Sequence, residues 1–308
     1  MGVLAGGGAV GAWWGATSQR RSARWLRTIL ADSRRSVAAA PVTPRPALWP
    51  DNAVTVCWIG HATVLINFYG ITILTDPAFG SRIGVPLGFG IAGPKRFVAP
   101  ALKLKELPPI DVVLLSHAHM DHVDEWTLGR LKPGATITAK LTSDLLGSSG
   151  TKQTIELGWN ERTTVQTKKG GVEIEAFEVK HWGQRWPSKL ERGYNGYVLR
   201  REGKSLLFGG DTAMTKLLAD VKSKGPFEAA IMPIGAYRPW IRNHCTPEEA
   251  VDMANAAGAK YFVPVHHLTF KLSDEPFSEP MERLEQALAG EPERIALKRV
   301  GESFQVPA

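Results

Sequence analysis

Apolar residues along this chain come in short runs separated by Gly-, Pro- and Asp-rich breaks, and runs rich in Val, Ile and Thr read as β-strands. The pattern predicts strands at 54–59, 63–68, 71–75, 110–115, 135–139, 163–167, 172–179, 197–201, 205–208, 229–233 and 261–265, with a terminal strand around 295–306. Helical spacing is scarcer. It predicts a short helix at 125–131, one running from beyond Asp211 to 222, one ending near Gly258 and a last one at 280–288. The third has the plainest start: Thr246-Pro247-Glu248-Glu249 offers a capping residue, a proline at the first helical position and acids in the first turn. Between 79 and 100 glycine and proline are too frequent for any regular element. Strands with interspersed helices, and polar residues repeatedly at strand ends, predict two sheets covered by helices.

Composition adds little to this until its distribution is considered. At 308 residues, 44% hydrophobic and 22% charged, the chain can bury a large core as one big domain or two small ones. The net charge of +7 sits almost entirely in residues 1–45, which hold seven arginines and one acid, Asp32. The remainder is nearly neutral, which argues against a basic groove and hence against a nucleic-acid partner. Residues 1–17 are Gly/Ala-rich, with the arginines after the apolar part, and fit neither a secretory signal nor a membrane span. Gly6-x-Gly8-x-x-Gly11 has no strand before it and is a chance match to a dinucleotide fingerprint. In 19–37, Trp25, Leu26, Ile29, Leu30 and Val37 recur at helical spacing among arginines. Such a helix suits an anionic membrane surface, or packs on the domain with its arginines outward. Pro41, Pro44, Pro46 and Pro50 then form an extended linker, so residues 1–50 are expected to be an arm and 51–308 the catalytic domain. Cys57 and Cys245 cannot make a disulfide framework.

The chemistry concentrates in Ser116-His117-Ala118-His119-Met120-Asp121-His122-Val123-Asp124, three histidines and two aspartates packed into nine residues after an apolar run. Neutral imidazole with carboxylate suits zinc and related divalent ions. The set exceeds what one tetrahedral ion can use from so short a segment, so two adjacent ions are the natural reading. Further polar residues stand at later strand ends: His181 after Val179, Asp211 after Gly209-Gly210, His266 after Val265, and His244 just before the capped helix.

On these residues the chain resembles the metallo-β-lactamase superfamily, and within it the N-acyl-phosphatidylethanolamine-hydrolysing phospholipase D group. The resemblance covers about 54–304. Its first part rests on Trp58-Ile59-Gly60-His61-Ala62-Thr63, Thr75-Asp76-Pro77, Gly93-Pro94-Lys95-Arg96-Phe97, Leu107-Pro108-Pro109-Ile110-Asp111 and the His/Asp loop. Its second part rests on His181-Trp182-x-x-Arg185, Gly209-Gly210-Asp211-Thr212, Pro233-Ile234-Gly235-Ala236-Tyr237, Pro247-Glu248-Glu249-Ala250-Val251 and Gly301-Glu302-Ser303. It implies an α+β fold, an αββα sandwich of two mixed sheets. It also implies two Zn2+, or another divalent metal: one held by His117, His119 and His181, the other by Asp121, His122 and His266, with Asp211 bridging. Asp121 and Asp211 would carry the catalytic chemistry with His244, which would donate a hydrogen bond to the phosphate or leaving oxygen.

Arg185, His244 and His267 are the expected substrate contacts, and Lys95, Arg96, Arg238 and Arg242 are further candidates to meet an anionic headgroup. Asp76, His61 and Asp124 would support the loops from behind. The implied activity is phosphodiester hydrolysis of a membrane phospholipid of the N-acyl-phosphatidylethanolamine type, by a water ionised between the metals. A peripheral enzyme bound to an anionic membrane through 19–37, with a homodimer among the assemblies admitted, follows from the same reading. Two alternatives stand beside it: the same hydrolase acting on a lactone or small soluble phosphodiester, and a membrane-associated protein with a vestigial site. Three departures line the substrate side and spare the ligands: His267 where Trp is expected, Asn243 where Gln is expected, and an altered segment at 189–195.

Overall fold

The computed structural model describes Asp32 and residues 34–307, with Phe89 and Ser148 excepted. The Gly6–Gly11 pattern and nearly all of the expected 19–37 helix lie outside the described residues. The strands are β1 (Val54–Gly60), β2 (Thr63–Phe68), β3 (Ile71–Thr75), β4 (Val85–Leu87), β5 (Gly90–Ala92), β6 (Val112–Leu115), β7 (Ala135–Ala139) and β8 (Thr154–Leu157) in the first half of the chain. The second half supplies β9 (Arg162–Thr167), β10 (Gly170–Phe177), β11 (Gly196–Arg201), β12 (Lys204–Phe208), β13 (Phe227–Pro233), β14 (Ala259–Val265) and β15 (Ser303–Gln305). The α-helices are α1 (Glu125–Leu128), α2 (Leu217–Asp220), α3 (Pro247–Ala257) and α4 (Glu279–Ala287).

One seven-stranded sheet runs in the order β15-β1-β2-β3-β6-β7-β8, and a six-stranded sheet in the order β14-β13-β12-β11-β10-β9. Both are mixed. β3, β6, β7 and β8 are parallel to their neighbours, as are β12, β13 and β14, whereas β1-β2-β3 and β9-β10-β11-β12 pair antiparallel. The parallel runs send the carboxyl ends of their strands to the same edge of each sheet, which is where ligand-bearing loops collect in open sheets.

Alternation of side chains explains the layering. In β11, Tyr197 and Leu199 join the core cluster between the sheets, while Val198 turns outward to a second cluster beneath α2, α3 and α4. β1, β2, β3 and β6 are buried along their whole length, which is why they read as unbroken apolar runs. Each fully buried Leu, Ile or Phe in these layers contributes about 1.5–3 kcal/mol of transfer free energy. α3 is capped as the sequence predicts: Thr246 Oγ1 accepts from the Glu249 amide at 3.3 Å, Glu249 Oε2 accepts from the Thr246 amide at 2.9 Å, and Gly258 ends the helix at φ 79°.

Four local expectations change. The 79–100 stretch contains a small hairpin, β4–β5, that stands apart from both sheets. β8 was not expected, because Thr154-Ile155-Glu156-Leu157 is a half-exposed edge strand too short to show alternation. The residues after Asp211 are not helical until Leu217, because the Ala213 amide bonds to the Lys180 carbonyl at 2.8 Å and ties them to the neighbouring loop. The last strand shrinks to Ser303–Gln305. The proline-rich segment lies along the body, with the Ala38 amide bonded to Phe97 O at 2.8 Å and the Val42 amide to Val300 O at 3.3 Å, but it is not extended throughout: Pro46–Leu48 form a turn of 3-10 helix. Among the described residues no helix is long and apolar enough to cross a membrane.

Candidate metal centre

The sheets meet at their carboxyl edges across a very narrow gap, and glycine makes the approach close enough. Gly210 sits at φ 59°, and a Cβ there would lie 2.7 Å from Cβ of Ser116, across the gap, and 2.8 Å from the Asn195 carbonyl. This contact places Asp211, at the end of β12, directly above the loop that follows β6.

Four residues of that loop and three from the second sheet converge. His117 Nε2 lies 2.8 Å from His119 Nδ1, and His181 Nε2 lies 3.3 Å from the same Nδ1. Beside this trio, His122 Nε2 and His266 Nε2 stand 3.4 and 3.3 Å from Asp121 Oδ2. Asp211 Oδ2 faces both sets, at 4.0 and 3.9 Å from the Nε2 atoms of His117 and His181 and at 3.1 Å from those of His122 and His266. His244 Nδ1 lies 3.8 Å from the same oxygen.

The donor set fits a divalent ion on three counts. It consists of imidazole nitrogens and carboxylate oxygens, the ligands zinc takes. Bonds of about 2.0–2.2 Å place the ligands of a tetrahedral ion roughly 3.3–3.6 Å apart, within the spread of spacings found here. Finally, His122 Nε2, His244 Nδ1 and Asp211 Oδ1 are buried without a hydrogen-bond partner, although Asp211 Oδ2 is close to the first two. Lone pairs arranged around a common point, rather than along donor–acceptor lines, are what coordination requires.

A second layer fixes the rings. Asp76, held by the Ser116 amide at 2.7 Å and Ser116 Oγ at 2.5 Å, takes His122 Nδ1 at 2.6 Å, so that Nε2 of His122 points inward. His181 Nδ1 donates to the Asn243 carbonyl at 2.8 Å, and Ser116 Oγ sits 2.9 Å from His117 Nδ1. Burial lowers His117 and His181 well below the ordinary imidazole range and His119 to about 4, so these three stay neutral with a lone pair free. His122 and His266 behave oppositely. Burial opposes their charge, but Asp211 and Asp121 outweigh it, raising His266 to about 9 and His122 well above its usual value. Burial likewise pushes the Asp121 and Asp211 carboxyls up, and the positive imidazoles reverse it, holding both well below the usual carboxylate range.

All seven expected ligands are thus brought together, with His244 beside them. His61 joins them too. In keeping with the supporting role expected for it, its Nε2 lies 2.9 Å from Asp121 Oδ2, close enough to His122 and His266 that its ring nitrogen also belongs to a group able to hold an ion. Its signal in the sequence was the shared placement of a polar residue just past a strand end. Asp124 does the supporting work foreseen for it, capping α1 and accepting from the Gly80 amide at 3.1 Å.

The expected substrate contacts fare differently. Arg185 is buried, and its guanidinium donates to the carbonyls of Ala118 and Val123 at 2.9 and 3.1 Å and to Glu125 at 2.7 Å. It ties down the ligand loop rather than facing a headgroup. His267 is buried behind His266 and stacks on Trp58 with ring centroids 4.4 Å apart, so the Trp-to-His change lies in packing, not on the substrate side. Arg96 is also buried, donating to Ala78 O at 2.7 Å, and Arg238 pairs with Glu279 at 2.8 Å. Lys95 donates to the Arg35 carbonyl at 2.5 Å. Arg242 is exposed beside His244.

A family model described as the beta-lactamase superfamily domain matches residues 72–267. An N-acyl-phosphatidylethanolamine-hydrolyzing phospholipase D of Caenorhabditis elegans is 30% identical over 258 residues, covering 77% of this chain and 70% of the relative. A mitochondrial protein of the same description from Saccharomyces cerevisiae is 33% identical over 245 residues, covering 74% of this chain and 50% of the relative. Among solved structures, an isothiocyanate hydrolase from Delia radicum gut bacteria superposes with a TM-score of 0.65 at 18% identity, covering 82% of this chain and all of that one.

Proposed function

Since the chain belongs to the beta-lactamase superfamily and is a metal-dependent hydrolase of that fold, we propose that it is a phosphodiesterase of phospholipase D type. Its substrates would be N-acyl-phosphatidylethanolamine-like membrane lipids, and its products phosphatidate and an N-acylethanolamine or similar alcohol. The observation that carries this reading is the single carboxylate oxygen, Asp211 Oδ2, set between two groups of ligand atoms with His244 at its side. Its donor chemistry supports two zinc ions, held by His117, His119 and His181 on one side and Asp121, His122 and His266 on the other, with Asp211 shared. Relatives at about the 30% level named for this activity support the lipid substrate.

Bound divalent ions would supply Lewis acidity and make water a nucleophile near neutral pH. The chain's own residues do the rest. Water attacks phosphorus, the bond from phosphorus to the ethanolamine oxygen breaks, and the proton that the water gives up ends on the leaving oxygen. His244, with Nδ1 3.8 Å from Asp211 Oδ2, would assist that oxygen by donating a hydrogen bond to it. Burial lowers its imidazole to about 4, so at neutral pH it is an uncharged donor rather than an imidazolium. Its position by Asp211 keeps it within reach of any group bound between the ligand sets.

Metal-loaded protein assayed on vesicles containing N-acyl-phosphatidylethanolamine should release phosphatidate, and Asp211→Asn, which removes the shared ligand, should lower bound metal and reduce turnover by roughly 10²–10³-fold. Hydrolysis of lactones in a parallel assay, with no phosphatidate formed, would replace this reading with the lactonase alternative.

A further inference from the structure

Among the described residues, ten large hydrophobic side chains are exposed, and their distribution is lopsided. On the seven-stranded sheet, Trp126, Leu141 and Trp159 lie on the segments that leave the carboxyl ends of β6, β7 and β8, and Leu87 lies on the β4–β5 hairpin. That hairpin belongs to the same edge, since Pro86 lines a pocket together with Met120 and Trp126. On the six-stranded sheet, Trp186 and Leu190 follow His181, Met214 follows Asp211, and Trp240 and Ile241 precede His244. The tenth, Leu48, is in the linker. At the opposite edge, the turns at 69–70, 168–169 and 202–203 and the return segments near 225 and 258 expose no large hydrophobic side chain. Nine of ten therefore stand on the edge that holds the metal centre, and four of the nine are tryptophans.

A soluble surface scatters such residues. Gathering them on one edge, with tryptophan prominent, is the composition of a surface that sits at a lipid headgroup boundary, where an indole finds an apolar and a wet side. Charge points to the same partner. Of the acids on this edge, Glu125, Asp144 and Glu161 are each matched by Arg185, Arg192 and Lys140. Lys180, Lys189, Lys216 and Arg242 are exposed on the same loops without an ion pair among the described residues, and outnumber the similarly unpaired Glu178 and Glu191. Trp186 and Leu190 flank Lys189, Met214 is two residues from Lys216, and Ile241 adjoins Arg242. Apolar anchors interleaved with free cations fit a bilayer carrying anionic lipid, where both kinds of contact add to binding.

We propose that the edge of the molecule surrounding the metal centre is a membrane-docking face for anionic bilayers, with Trp186, Leu190, Trp240 and Ile241 as anchors and Lys189, Lys216 and Arg242 as headgroup contacts. It rests on the lipid-substrate reading above, and places the hydrolytic centre against the bilayer without extraction of the lipid into solution. It also moves the main membrane contact from the arginine-rich arm to the catalytic domain.

The test uses the full-length, metal-loaded protein and vesicles of phosphatidylcholine, with and without about one third phosphatidylglycerol. Binding is measured by co-sedimentation, and depth by quenching of tryptophan fluorescence with brominated acyl chains. The wild type should partition onto the anionic vesicles, more weakly at high salt, and be quenched. The pairs Trp186→Ser with Leu190→Ser, and Trp240→Ser with Ile241→Ser, should each lower the partition coefficient by roughly tenfold, as expected for withdrawing two large apolar side chains from lipid. Bound metal and melting temperature serve as the check that these variants are folded.

Three results would overturn the proposal: no partitioning by the wild type; partitioning unchanged in both folded variants; or loss on removal of residues 1–37 alone, with the variants unaffected. Self-association of the wild type in place of vesicle binding, abolished by the same substitutions, would reassign the face to a protein partner and also overturn it. Failure of the phospholipase reading looks different: quenching and anchor dependence would persist on vesicles from which no phosphatidate is released.

Discussion

At the scale of single residues, the centre is a balance between buried carboxylates and the protons that neutralise them. Asp121 and Asp211 are ionised, and His122 and His266 carry the compensating charge. Because the folded-state values of these two imidazoles lie above their unfolded ones, they stabilise the metal-free protein fully below the ordinary imidazole range, and that stabilisation fades as pH rises through about 9 for His266. A dication needs both as neutral ligands. Metal uptake at neutral pH should accordingly release about two protons, and affinity should fall as the solution is acidified. Titration calorimetry in buffers of different ionisation enthalpy reads the proton count directly; a count of zero would mean that these two imidazoles do not give up protons to the metal. The convergence of the candidate ligands was legible in the sequence because histidine and aspartate were concentrated where apolar runs stopped. Arg185 and His267 were not, because a motif shows which residue is present but not which way it faces. Which group His61 supports was hidden for the same reason: nothing in Gly60-His61-Ala62 reveals that a residue at φ 55° turns its ring onto Asp121.

At the scale of elements, the loop after β6 is held by a side chain borrowed from the other sheet. Arg185 closes the carbonyls of Ala118 and Val123, which bracket His119 and His122, and is itself fixed by Glu125. Arg185→Leu should cost on the order of 3 kcal/mol, mostly from carbonyls left without partners in a buried setting. Chemical denaturation would show it, and an unchanged midpoint would mean the loop holds itself. Long buried strands were predicted nearly to the residue, since an apolar run cannot end far from where burial ends. β2, β3 and β7 have their expected bounds. Elements whose existence depends on tertiary partners were not: β8 needs β7 beside it, and the β4–β5 hairpin carries too few alternating positions to announce itself.

At the scale of the whole molecule, two sheets with separate antiparallel parts share one core and one edge. The candidate ligands divide between them, His117, His119, Asp121 and His122 from the first and His181, Asp211 and His266 from the second. A ligand bound only by the folded state, present at a thousand times its dissociation constant, stabilises by about 4 kcal/mol, so stripping the metal with a chelator should lower the melting temperature by roughly 10 °C, and zinc should restore it. A melting temperature indifferent to chelation would show that the sheets are joined firmly without the ion.

The glycine contact between Gly210 and Ser116 carries a consequence of another kind. With nothing but backbone and one short side chain between the sheets, the ion and the sheet-to-sheet spacing are thermodynamically coupled. Coupling of that sort is reciprocal: whatever factor metal contributes to closing the gap, a change that widens the gap removes from metal affinity. A side chain at Gly210 would meet Ser116 and the Asn195 carbonyl first, and it would act on the centre as an antagonist acts on a receptor, through the geometry both must share.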